Sequence, residues 1–144
     1  MRIAKLLEDK GAVVFTIGST ATLAEAVRLL NARGIGALVV SDDGRKISGI
    51  VSERDIVRAL SVESVGEALA RPVSSVMSSA VSTCGPQDDT DQLMATMTNG
   101  RFRHVPVVDS DDLVGIVSIG DVVRVRIEEL ERERKELVDY INAR

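Results

Sequence analysis

Aromatic side chains are nearly missing from this chain. Of 144 residues, two are Phe, one is Tyr and none is Trp. A protein that reads single-stranded nucleic acid by stacking bases needs such rings, so that class is disfavoured. An excess of basic residues is missing too, since the net charge is −4, which argues against a general phosphate-backbone binder. Cysteine occurs once, as Cys84, so no internal disulfide can form, which fits a reducing compartment. With a single His beside that single Cys, a Cys/His zinc site cannot be assembled. Cys84 and His104 could meet as a thiol–imidazole pair, but no third group is evident to orient them. No apolar run is long enough to span a bilayer. The opening MRIAKLLEDKG reads as a short charged helix rather than a signal peptide, so a cytoplasmic protein without membrane partners is expected.

Motifs of common chemistry are also absent. Gly34-x-Gly36 is not a dinucleotide fingerprint, because Val39 stands in the third glycine position. Asp109-Ser110-Asp111-Asp112 hints at a calcium loop, yet the required Gly and terminal Glu are missing, and a solvated hairpin loop is the better reading. No Walker-type loop occurs, and no catalytic residue set or metal site is expected; the chain is read as a non-enzyme. What remains is an ordinary globular composition, 44% hydrophobic and 28% charged.

What is present is present twice. Residues 49–58 read GIVSERDIVR and residues 115–124 read GIVSIGDVVR, identical at seven of ten positions. Upstream, Ala12-Val13 matches Ala80-Val81, Thr22 matches Thr90, and Val39-Val40 matches Val107-Val108, each at a spacing of 68 (107 − 39). The later block is offset by 66 (115 − 49), which makes one loop of the second copy two residues shorter. A unit this long, occurring twice, is one supersecondary motif duplicated and folded against itself, not a solenoid.

Each copy reads β-α-β-β-α, an α/β (α+β) plan whose halves are related by pseudo-two-fold symmetry. In the first, AVVFTI (12–17) is β-branched; Thr22 with Glu25 forms a capping box before an amphipathic helix ending at Gly34; IGALVVS (35–41) and KISGIVS (46–52) make a hairpin. A helix then starts at Ser52. The second copy predicts strands at 80–84, 104–109 and 113–118, and helices over about 90–99 and from Ser118. The first repeat, with the N-terminal helix, is assigned residues 1–70, and the second residues 71–144. The last helix runs on to the C-terminus. It carries Val123, Ile127, Leu130, Leu137 and Ile141 at alternating spacings of 4 and 3 along one seam, with Arg134 in the one polar slot. That stripe suits packing along its own domain or pairing with a second copy.

The shared block G-I-V-S-x-x-D places Ser52 and Ser118 at helix N-caps, with Asp55 and Asp121 three residues on. Capping and the helix dipole alone account for such a pattern. The same groups also suit a nucleotide. Free N–H groups at a helix mouth attract phosphate, a hydroxyl there can donate to it, and a nearby carboxylate can accept both hydroxyls of a ribose. Both copies keep Ser and Asp while the residues between them change. Arg54, Arg103 and His104 are candidates to neutralise phosphate, and Thr16 and Thr83, near the ends of the first strands, to hydrogen-bond base or phosphate. Each could equally be an ordinary surface or strand residue.

This duplicated pattern resembles the cystathionine β-synthase (CBS) domain in the tandem arrangement called a Bateman module, here standing alone. The resemblance rests on Gly49–Asp55, Gly115–Asp121, the strand His104-Val105-Pro106-Val107-Val108-Asp109 and the lead-in around Val76-Met77, and covers about residues 10–126. It implies a sensor of adenine ligands (AMP, ADP, ATP, NAD(H) or S-adenosylmethionine) in clefts between the repeats. It maps ribose binding to Asp55 and Asp121, and phosphate contact to Ser52 and Ser118. Base contacts map to Thr16, Ile35, Gly36 and Ala37 in the first copy, and to Cys84, Arg103, His104 and Val105 in the second. Family modules pair into flat dimers, so a homodimer is expected. Repeat 1 departs in having Leu38 where repeat 2 has Pro106 and in lacking the Arg-His pair, which leaves room for unlike ligands in the two sites. The alternative is a structural homodimerisation or partner-binding module with vestigial sites.

Overall fold

The computed structural model describes residues 1–143. Its elements in order are α1 (Ile3–Lys10), β1 (Thr16–Ile17), α2 (Leu23–Arg33), β2 (Ala37–Val40), β3 (Gly49–Ser52), α3 (Glu53–Val62) and α4 (Val65–Ala70). After a 3-10 turn at Val73–Ser75 come α5 (Thr90–Gly100), β4 (His104–Asp109), β5 (Asp112–Ser118) and α6 (Ile119–Asn142). β2 lies between parallel β1 and antiparallel β3, while β4 and β5 form an antiparallel pair. The expected strand at 80–84 shrinks to one parallel bridge between Cys84 and Val107. Likewise the run 12–17 is strand only at Thr16–Ile17. Thr22 and Glu25 make the capping box read from the sequence, and Gly34 closes α2 in the left-handed region at φ 62°. The loop Asp109–Asp112 is a two-residue hairpin turn with Ser110 and Asp111 at φ 52° and 67°, the conformation a tight hairpin requires.

Hydrogen bonds correct the register of the repeat. Ile17 carbonyl accepts from Ser41 N–H as Cys84 carbonyl accepts from Val108 N–H, and Gly36 carbonyl accepts from Glu53 N–H as Arg103 carbonyl accepts from Ile119 N–H. The upstream equivalence is therefore 67 residues (84 − 17, 103 − 36), not 68, and the hairpin connection is one residue shorter, not two. Matching the Val-Val dipeptides by identity slips the strands by one, which in a strand exchanges the two faces. A bulge between Val107 and Val108 lies at that point. Pro106 thus corresponds to Val39 rather than Leu38, His104 to Ala37, and Arg103 to Gly36. The cap equivalent to Thr22 is Asp89, and Thr90 is the first residue of α5.

Two apolar clusters make the core, and each borrows from the other half of the sequence. Ile3, Leu6 and Leu7 of α1 pack with Leu93, Met97, Val105, Val107, Val117 and Val122 of repeat 2. Val73, Val76 and Met77 pack with Leu38, Val51 and Ile56 of repeat 1. The boundary at 70/71 consequently does not separate the packed units, and α1 belongs with the second repeat instead of the first. The GIVS glycines show why. A Cβ on Gly49 would lie 2.7 Å from the Ser78 carbonyl oxygen, and a Cβ on Gly115 would lie 2.8 Å from the Leu7 methyls. The segment leading into each repeat crosses the third strand of the other, and only glycine leaves room for it.

Candidate functional site

Capping geometry fixes the two Ser/Asp pairs. Ser52 Oγ accepts from Asp55 N–H at 3.4 Å, and Asp55 Oδ2 accepts from Ser52 N–H at 2.8 Å and from its hydroxyl at 3.1 Å. Ser118 Oγ accepts from Asp121 N–H at 3.2 Å, and Asp121 Oδ2 accepts from Ser118 N–H at 2.9 Å. Both boxes are complete, so both serines cap their helices. The carboxylate side chains are nearly equally exposed, at 12% for Asp55 and 11% for Asp121.

Each pair opens onto a cleft between the repeats. Cleft 1, about 320 Å³, brings Ser52, Glu53, Arg54 and Asp55 against Phe102, Arg103 and His104, with Ile50, Ser78, Arg58 and Arg101 at its sides. Cleft 2, about 300 Å³, brings Ser118 and Asp121 against Ile35, Gly36 and Ala37, with Lys10, Val14, Phe15 and Ile116 completing it. Gly36, Ala37 and His104 line both clefts. A Cβ on Gly36 would sit 3.4 Å from His104 Cε1, so the clefts meet across a close approach of β2 to β4.

Their charges differ. Cleft 1 carries Arg54, Arg58, Arg101 and Arg103 against Glu53 and Asp55, a formal +2 (4 − 2). Cleft 2 carries Lys10 against Asp121, a formal zero (1 − 1). Burial works against the charge of Asp121, but hydrogen bonds from Lys10 and Ser118 more than offset it and hold its carboxyl below the usual range. Burial pushes His104 below the ordinary imidazole value; Glu53 and Asp121 oppose this, and Lys10 and Arg103 reinforce it. His104 is therefore neutral at pH 7. Without a ligand it adds no positive charge to cleft 1, whose cations are the arginines.

Several other expected site residues lie elsewhere. Thr16, Thr83, Cys84 and Val105 line neither cleft. Cys84 and Val105 are sealed in the core, and burial, with Asp88 nearby, pushes the Cys84 thiol up to about 11. It is a neutral core thiol, not a thiolate. Thr83 is exposed. Conversely, the sequence reading missed Lys10, Ser78, Arg58, Arg101 and Phe102. Arg58 had a signal: it sits one helical turn beyond Arg54 and Asp55, on the face that carries them. Lys10 had none, because nothing local says that α1 crosses to the second repeat.

Two interlocked β-α-β-β-α repeats, with a capped Ser/Asp pair at each of two clefts between them, define a tandem-repeat module. The CBS domain family matches residues 12–62 and 73–128, and the chain belongs to that family. A CBS-domain-containing protein from Agrobacterium tumefaciens superposes with a TM-score of 0.83 at 45% identity, covering 88% of this chain and 99% of that one. The mitochondrial CBS domain-containing protein CBSX3 of Arabidopsis thaliana is 34% identical over 124 residues, 83% of this chain; the aligned region spans 60% of the plant protein's length. A CBS domain protein from Pyrobaculum aerophilum complexed with AMP superposes with a TM-score of 0.72 at 29% identity, covering 84% of this chain and 89% of that one. Among the described residues no helix is long and apolar enough to cross a membrane.

Proposed function

We propose that this chain is a regulatory module that binds adenine nucleotides reversibly in its two clefts. The observation that carries the reading is cleft 1. There, among the described residues, Asp55 Oδ1 has a single ion-pair contact, Arg58 at 4.0 Å, beside an N-cap hydroxyl and under a rim of arginines. A carboxylate with free lone pairs suits a ribose diol, and guanidinium groups suit phosphate. Ala37, Ile50 and Phe102 supply apolar surface for the base. The +2 balance favours ligands with phosphate, which keeps AMP, ADP, ATP and NAD(H) ahead of an uncharged nucleoside. The AMP complex of the Pyrobaculum protein supports the same ligand class. Because cleft 1 draws Asp55 from one repeat and Phe102 from the other, a bound nucleotide stabilises one relative arrangement of the two halves. A thermal-shift series with AMP, ATP, NAD(H) and S-adenosylmethionine tests this. At about 100 times its dissociation constant a ligand adds about 2.7 kcal/mol. No shift with any of the four removes the reading and leaves a purely structural module.

The module acts as a homodimer in this proposal, supported by the outer face of α6. Ile127, Leu130, Leu137 and Ile141 are 50, 46, 61 and 58% exposed along the seam read from the sequence. A helix with such a stripe gains by pairing with a second one. Leu130→Glu is expected to raise the dimer dissociation constant at least about tenfold, one buried leucine being worth about 1.5–3 kcal/mol. Sedimentation velocity of wild type and variant decides; a wild-type monomer at micromolar concentration removes the dimer.

A further inference from the structure

The two carboxylates are not equally free, and the larger difference is Lys10. Asp121 Oδ2 accepts from Lys10 Nζ at 2.7 Å as well as from Ser118 N–H, and Oδ1 accepts from Arg124 at 3.1 Å. Asp55 has the counterpart of Arg124 in Arg58, a looser ion pair at 4.0 Å on Oδ1, but among the described residues no cation stands on its Oδ2 as Lys10 does on that of Asp121. Lys10 also donates to the Ile116 carbonyl at 2.8 Å. The equivalent carbonyl in repeat 1, that of Ile50, accepts from Ser78 backbone N–H at 2.9 Å. An ammonium thus stands in repeat 2 where repeat 1 has an uncharged amide. Lys10 is the last residue of α1, held by a helix whose other face is in the repeat 2 core, and its side chain is 24% exposed. It lines cleft 2.

We infer that Lys10 is the specificity-determining residue of cleft 2: its ammonium latches Asp121, so the carboxylate is released to a ribose only when the ligand brings an anion for Lys10. The inference rests on the nucleotide reading above and deepens it. An uncharged adenosine would have to part the two charges and leave the ammonium without a counter-ion in a half-buried cleft. A phosphorylated adenosine offers a replacement, and the flexible four-carbon stem of lysine lets the ammonium follow it. Cleft 1 selects anions through a diffuse arginine rim; cleft 2 selects them through one exchangeable ion pair.

Isoleucine methyl labelling separates the clefts, since Ile50 lines cleft 1 and Ile116 lines cleft 2. AMP and adenosine are titrated into wild type, Lys10→Met and Lys10→Gln, with Lys10→Arg as the charge-conserving control. Gln still offers an N–H to the Ile116 carbonyl without a charge, so it decides the matter if the Met variant does not fold. At Ile116 the wild type and Lys10→Arg are expected to prefer AMP over adenosine at least tenfold. In Lys10→Met and Lys10→Gln that preference falls below twofold, through tighter adenosine binding. An undiminished preference in the uncharged variants overturns the inference. So does loss of both ligands at Ile116 while Ile50 still responds, which would make Lys10 a structural prop. AMP moving neither methyl in wild type overturns the nucleotide reading and this inference with it.

Discussion

Asp55→Asn is expected to weaken AMP binding in cleft 1 by about ten- to a hundredfold while leaving the fold intact. Hydrogen bonds to a charged partner contribute about 1.5–3 kcal/mol, and the variant loses the charge in a pair made with the sugar. The cap survives, because an amide oxygen can still accept from Ser52 N–H as Asp55 Oδ2 does at 2.8 Å. This separation matters, since Asp55→Ala would remove sugar contact and capping box together and confuse weakened binding with a loosened α3. Calorimetric titration of AMP, with the melting temperature measured in parallel, checks the outcome. An unchanged dissociation constant would mean that the carboxylate serves the helix alone, the bland role that its capping geometry already explains.

That both roles fall on the same atoms explains how much of the site was legible in the sequence. The spacing Ser-x-x-Asp predicts an N-cap serine with an acid in the first turn, and the structure closes both into capping boxes at Ser52 and Ser118. The hairpins, α2, α5 and the extended α6 follow from periodicity and turn residues, which are local signals. What depended on non-local packing was not legible. The first strand of each repeat is cut short, to two residues and to one bridge, although Val13, Val14, Thr16 and Ile17 in the first segment and Val81 and Thr83 in the second favour strand. The one-residue slip in the upstream match is of the same kind: Val39-Val40 and Val107-Val108 look alike on either face, and only the hydrogen bonds of Ile17 and Cys84 tell them apart. Cys84 and Val105 were placed at a ligand by resemblance, whereas their strand partners bury them. The place of His104 beside Arg103 suggests a cation, but burial, which the sequence does not show, disfavours the charged imidazole. Lys10 reaches Asp121 across 111 positions of sequence, a separation at which no spacing rule operates.

The same crossing of α1 sets the second large effect. Leu6→Ala is expected to cost about 2–5 kcal/mol of unfolding free energy, a large share of the roughly 5–15 kcal/mol available to a domain. Leu6 is 2% exposed and packs with residues of β4, β5, α5 and α6. If α1 were an appendage of the first repeat, ending at a charged surface, the same change would cost a few tenths of a kcal/mol. The start of α1 is tied to repeat 2 through its backbone as well, Ile3 N–H donating to Asp88 carbonyl at 2.9 Å and Ala4 N–H to Pro86 carbonyl at 2.8 Å. The helix therefore has little freedom to slide and close the void left by a shortened side chain, which places the cost toward the upper part of the range. Urea unfolding with the slope held constant measures it; a loss below about 1 kcal/mol would show that α1 is not part of that core. Leu6 lies four residues before Lys10, one helical turn away. A helix that cannot shift by a turn holds its terminal ammonium over Asp121, so the packing that stabilises repeat 2 also sets the resting state of cleft 2.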